Sequence, residues 1–119
     1  MSSVNKRLYS LGLALALAGC ASDPVPDEQL RLTEQAIEQA RAVGAADDSA
    51  PLSEALAKAA RARAELAGQR NKAARMALEQ AELDARLAEA NELSRKSREQ
   101  LAQVNARIQR LHKQLGDVQ

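Results

Sequence analysis

The chain has 119 residues, enough for one domain, with 17 Lys and Arg against 16 Asp and Glu. So even a balance argues against a dedicated nucleic-acid binder. Tyr9 is the only residue among Phe, Tyr and Trp, so none of these follows it to stack on a sugar ring or a base.

Lys6 and Arg7 precede an apolar run from Leu8 to Ala18. A basic start, a short apolar segment and small residues at its end make an export signal, and about a dozen residues are too few to span a bilayer. The run closes on Leu17-Ala18-Gly19-Cys20, which holds the only cysteine. No disulfide partner exists for it. Leu-Ala-Gly-Cys resembles the lipobox of bacterial lipoproteins. The resemblance implies removal of residues 1–19, a diacylglycerol on the Cys20 sulfur and acylation of the new amine. Ala21 and Ser22 lack the Asp that, in the sorting rule of such lipoproteins, retains them in the inner membrane. The resemblance therefore implies an outer-membrane anchor facing the periplasm.

Residues 20–27 are expected to be the lipidated cysteine and a tether. Pro24 and Pro26 hold it semi-extended at about 3 Å per residue, roughly 20 Å in all. Residues 28–119 form the expected helical domain. Its first helix is predicted from Asp27 or Glu28 to Val43, with acidic residues at the positive end of the helix dipole. Leu30, Thr33, Ile37, Ala40 and Val43 share one face. Gly44 stands where a C-terminal cap is expected.

Asp47-Asp48-Ser49 then reads as a loop ending in an N-cap, with Pro51 in the first turn of the next helix. Calcium would need more oxygens than this stretch offers. The second helix is predicted over Pro51–Ala67, with a stripe of Leu52, Ala55, Leu56, Ala59, Ala62 and Leu66. Gly68 and Asn71 punctuate together and favour a turn. The alternative is one continuous helix that tolerates Gly68 at about 1 kcal/mol relative to alanine.

The third helix is long, from about Asn71 to Leu115. Ala74, Ala77, Ala81, Ala85 and Ala88 share a face in its first half, expected to pack antiparallel on the second helix. In the second half Leu101, Val104, Ile108, Leu111 and Leu115 recur at spacings of three and four, a coiled-coil-like seam. Ser94 and Ser97 interrupt it upstream. The flanking Arg98, Gln100, Asn105, Arg107, His112 and Gln114 offer no complementary charge pattern. Self-association is permitted, not specified.

Ala50-Pro51-Leu52, then Leu66 and Gly68, then Glu82-Leu83-Asp84-Ala85-Arg86-Leu87-Ala88 resemble a family of small bacterial envelope lipoproteins with a helical domain of unknown function, number 4398. The resemblance covers most of the chain after Cys20. It implies location and a helical fold, and no activity. Some relatives continue into a peptidoglycan-binding domain of the outer-membrane-protein-A type, which is not expected here. A weaker similarity is to murein lipoprotein, joined to the cell wall through a C-terminal lysine. Here the end is Gly116-Asp117-Val118-Gln119 and the nearest lysine is Lys113, so covalent attachment is not expected.

The remaining polar residues suggest contact rather than catalysis. His112 falls outside the seam without ligand partners. Arg75 and Glu79, Glu82 and Arg86, and Glu92 and Lys96 are four apart and read as intrahelical pairs. Arg61, Arg63, Arg70, Lys72 and Arg75 cluster near the turn, with Arg95, Lys96 and Arg98 further on; either group suits anionic head groups or cell-wall carboxylates. No phosphate loop, nucleophile elbow or metal-ligand pairing is present. The expectation is an all-α antiparallel hairpin or three-helix arrangement with a long C-terminal helix. The expected protein has no enzymatic activity, cofactor, metal or small-molecule substrate. Its partners are a membrane, through the lipid, and either a second copy or another envelope protein.

Overall fold

The computed structural model describes residues 23–116. The expected export signal and Cys20 lie outside the described residues. Three helices follow one another: α1 (Asp27–Ala42), α2 (Ala50–Ala67) and α3 (Asn71–Gly116). Each boundary falls within a residue of its sequence expectation, and no strand occurs among the described residues.

The chain runs up, down and up. Leu30, near the start of α1, packs with Ala62, Ala77 and Leu78. Ile37 and Ala40, near its end, pack with Leu52, Ala55, Ala85 and Ala88. At the top, Lys96 Nζ donates to the Val43 carbonyl. α1 is therefore parallel to α3 and α2 antiparallel to both. α3 is the spine: α1 and α2 each lie mainly against it and touch one another little.

The core is mostly alanine. Ala36, Ala40, Ala55, Ala59, Ala81 and Ala85 are buried, and the largest fully buried side chains are Leu52, Leu78 and Thr33. Such small side chains let helix axes come close, so contact is gained through proximity rather than bulk. Thr33 is the one polar member. Its hydroxyl lies 2.8 Å from the Gln29 carbonyl and 3.0 Å from that of Leu78, which ties α1 to α3. A buried hydroxyl needs such a partner.

Both turns are closed by Schellman motifs, which satisfy the last carbonyls of a helix. After α1, Gly44 N–H reaches the Arg41 carbonyl at 2.8 Å and Ala45 N–H that of Ala40 at 3.0 Å. Gly44 sits at φ +95°, as expected of the cap. After α2, Gln69 N–H reaches Leu66 and Arg70 N–H reaches Glu65, each at 2.9 Å. The turn expected at Gly68 is present, but the left-handed residue is Gln69, at φ +57°. Gly68 has φ −85°. A side chain in the left-handed region costs about 1–2 kcal/mol. Gln69→Gly is thus expected to stabilise the fold by about 0.5–1 kcal/mol once the greater freedom of glycine in the unfolded chain is counted. Gly68→Ala should change little, because the new Cβ meets only the flexible end of the exposed Arg70 side chain. Thermal melts followed by circular dichroism test this; a strongly destabilising Gly68→Ala with a destabilising Gln69→Gly would reverse the assignment.

Ser49 occupies the N-cap of α2 with extended backbone, yet its hydroxyl makes no cap bond. Pro51 removes the N–H at the second helical position, so only one of the two usual donors remains. The tether also departs from an open linker at its inner end. Pro26 is buried, and Asn71 Nδ2 donates to the Asp23 carbonyl at 2.7 Å.

Candidate functional site

α3 outlasts its partners. From Leu93 to Gly116 every residue is exposed, a projecting arm of about 36 Å at 1.5 Å per residue. The seam residues Leu101, Val104, Ile108, Leu111 and Leu115 stand on it, 44% to 69% exposed. Neither α1 nor α2 covers them. A row of large aliphatic side chains in water marks a contact surface.

The apolar row is longer than the seam. Met76, Leu83 and Leu87 are also large and exposed. Leu83 and Leu101 are eighteen residues apart, five turns at 3.6 residues each, so they share one line along the helix. Ala74 and Leu83 are nine apart, two and a half turns, and lie on opposite sides. Ala74, Ala81 and Ala88 are buried against the other helices. α3 therefore has two apolar faces. The alanine face is covered and the leucine-rich back is open from Met76 to Leu115. Counting heptads backwards from Leu101 reaches Leu87 and from Val104 reaches Leu83, a signal in the sequence obscured by Ser94 and Ser97.

The charged residues are largely spent on one another. Lys58 on α2 reaches Asp84 on α3 at 2.5 Å, and its pKa is raised chiefly by that hydrogen bond. Gln29 donates to Glu82 at 2.6 Å, which with Arg86 holds the Glu82 carboxyl below its usual range. Arg41 grips Asp47 with two bonds of 2.9 Å and lowers its pKa, so this acidic loop is tied to α1. Of the three expected intrahelical pairs, Glu82 with Arg86 forms. Glu92 instead bonds Arg95, while Lys96 is drawn to the Val43 carbonyl. Arg75 and Glu79 do not form an ion pair. Where both side chains are exposed, as in Arg41 with Asp47, such bonds contribute little to stability; Lys58 with Asp84 and Gln29 with Glu82 are half-buried.

The basic residues near the turn divide. Arg63 pairs with Glu34 at 3.0 Å, and Arg61 and Arg70 converge on Glu65. Lys72 and Arg75 have no ion-pair partner among the described residues, and Lys72 lines a shallow cleft beside Asp23, at the tether end. A larger open cleft of about 520 Å³ lies where the α1–α2 loop meets α3, lined in part by Ser49, Glu92, Arg95 and Arg98. Arg95 there is bound to both Glu92 and Glu99. His112 is exposed on the arm. Among the described residues no group of three His, Cys, Asp or Glu converges as a ligand set. None of the described helices is long and apolar enough to cross a membrane.

No protein-family model and no curated protein matches the chain. Among solved structures it is similar to a DUF4398 family protein from Pseudomonas aeruginosa PAO1, with 52% identity and a TM-score of 0.79. The alignment covers 81% of this chain and 100% of that one.

Proposed function

The chain belongs to the DUF4398 family, and we propose that the protein is a lipid-tethered adaptor of the bacterial envelope that works by contact and not by catalysis. Cys20 carries the anchor, in the outer membrane with the body in the periplasm. The observation that carries the reading is the uncovered row from Leu101 to Leu115 on the projecting arm. The tether leaves the bundle at Asp23, beside Asn71. Leu115 lies some forty residues further along α3, about 66 Å away. The lipid thus holds one end while the other presents an apolar face.

A second reading is non-covalent contact with peptidoglycan or anionic lipid through Arg61, Arg63, Arg70, Lys72 and Arg75. Lys72 and Arg75 at the tether end favour it. The ion pairs of Arg61, Arg63 and Arg70 weaken it.

A photo-crosslinking residue at Ile108 of the full-length protein, expressed in cells, should give protein adducts. The same residue at the exposed Glu54 of α2 should not. An Ile108 probe that yields no adduct overturns the adaptor reading. Sedimentation with cell wall that Lys72→Glu and Arg75→Glu abolish, with salt acting likewise, would support the second reading instead.

A further inference from the structure

We propose that the open back of α3 is covered by a second copy of this chain, running antiparallel, with the two-fold axis between Ser94 and Ser97. This rests on the adaptor reading and names its partner. The exposed row is a single heptad frame, with Gln80, Leu87, Ser94, Leu101, Ile108 and Leu115 in one line of core positions and Met76, Leu83, Ala90, Ser97, Val104 and Leu111 in the other. In an antiparallel pair each line faces the other. Centred on the serines, Leu115 meets Met76, Ile108 meets Leu83, Val104 meets Leu87 and Leu101 meets Ala90. Ser94 meets Ser97, so small polar side chains face each other at the centre. Leu111 against Gln80 is the one mismatched layer. A shift of one heptad in either direction sets a serine against Leu101 or Leu87. The serines that interrupt the seam are thus what selects the frame.

Charge selects the same direction. The arm from Leu93 to Gly116 holds six basic residues against Glu99 alone. From Asp27 to Glu92 there are nine basic and thirteen acidic residues. A parallel pair would lay arm on arm and body on body, like on like. It would also set Glu79 beside Asp84 of the other copy. The antiparallel pair lays each basic arm along an acidic body. Its flanks bring Glu79 to Gln114 and Asp84 to Asn105. Its one like-charge contact, Arg86 with Arg107, is softened because Arg86 already pairs with Glu82 at 2.6 Å. The interface uses the same surface on both copies, so it closes at two and leaves no apolar row to propagate. The row spans about six heptads, beyond the three or four that a stable coiled coil requires.

The test uses the full chain carrying Cys20→Ser, so that introduced thiols are the only ones. Met76→Cys and Leu115→Cys are made separately, mixed and oxidised. The expected product is the mixed Met76→Cys/Leu115→Cys dimer. Leu115 of one copy lies about 58 Å from Leu115 of the other, too far for a disulfide. Same-variant dimers from both proteins would show a parallel pair and overturn the proposal. Ile108→Asp should give monomers by sedimentation equilibrium, and mixing it with Leu83→Lys should restore a dimer, because the two charges meet in one layer. Failure of that rescue also overturns it. A parent chain that stays monomeric while the Ile108 photo-probe still captures a different envelope protein rejects the second copy and leaves the adaptor reading standing.

Discussion

Leu78→Ala is expected to destabilise the fold by about 3–5 kcal/mol, the upper part of the range for a buried leucine truncated to alanine. Leu78 is fully buried and packs with Ala62, Ala77 and Leu30 where α1, α2 and α3 meet. The size of the effect follows from its neighbours. A cavity costs least where flexible side chains swing in to fill it, and alanine has none to swing. The helices would have to close together as rigid bodies, and the Thr33 bond to the Leu78 carbonyl restrains that movement. A domain of this size has about 5–15 kcal/mol to lose. The melting temperature should fall by about 12–40 °C, taking about 4–8 °C per kcal/mol. Circular dichroism is the readout, because no aromatic residue lies in the folded body. Leu83→Ala, five residues further on, changes the same side chain on the open face, 66% exposed. In dilute solution, where association does not contribute, it should cost no more than about 0.5 kcal/mol. Equal losses for the two variants would show that the covered and open faces of α3 are wrongly assigned.

Cys20→Ser is expected to abolish acylation and leave the protein unprocessed or released from the membrane. The oxygen of serine does not replace the sulfur that the lipobox resemblance makes the acceptor. Each buried methylene contributes about 0.8 kcal/mol to membrane attachment, and a second chain is what makes anchoring stable. Losing all chains therefore changes the membrane-bound fraction almost completely, with no loss of fold. Mass spectrometry of the parent chain should show acyl chains on residue 20 and cleavage after Gly19. A Cys20→Ser protein that is still cleaved and still acylated would remove the anchor, and with it the proposed location. The Leu78 and Cys20 variants separate cleanly. The first lowers the stability of the folded body and the second removes the expected acyl chains without touching that body.

The sequence alone determined the helices, because their signals are local. Helical spacing of Thr33, Ile37 and Ala40 chose a buried face for α1, and Gly44 placed its cap. Gly68 and Asn71 located the second turn, although not its left-handed residue. That is Gln69, whose strain is imposed by closing the two backbone bonds to Leu66 and Glu65. The seam from Leu101 to Leu115 was also legible, since its heptads are regular. The alanine face of α3 was legible as well, and it packs on α2 as expected; what went unread in the sequence was the second apolar face behind it. Alanine and leucine both count as apolar, and both recur at helical intervals along this helix. Tertiary structure adds α1 to the same alanine side, where small side chains permit close approach, and shows both helices stopping short of Leu93. That choice leaves Met76, Leu83 and Leu87 in water and joins them to the seam. The reason is length and shape. Helices of 16 and 18 residues cannot cover one of 46, and the face they do cover is the one that lets their backbones come nearest.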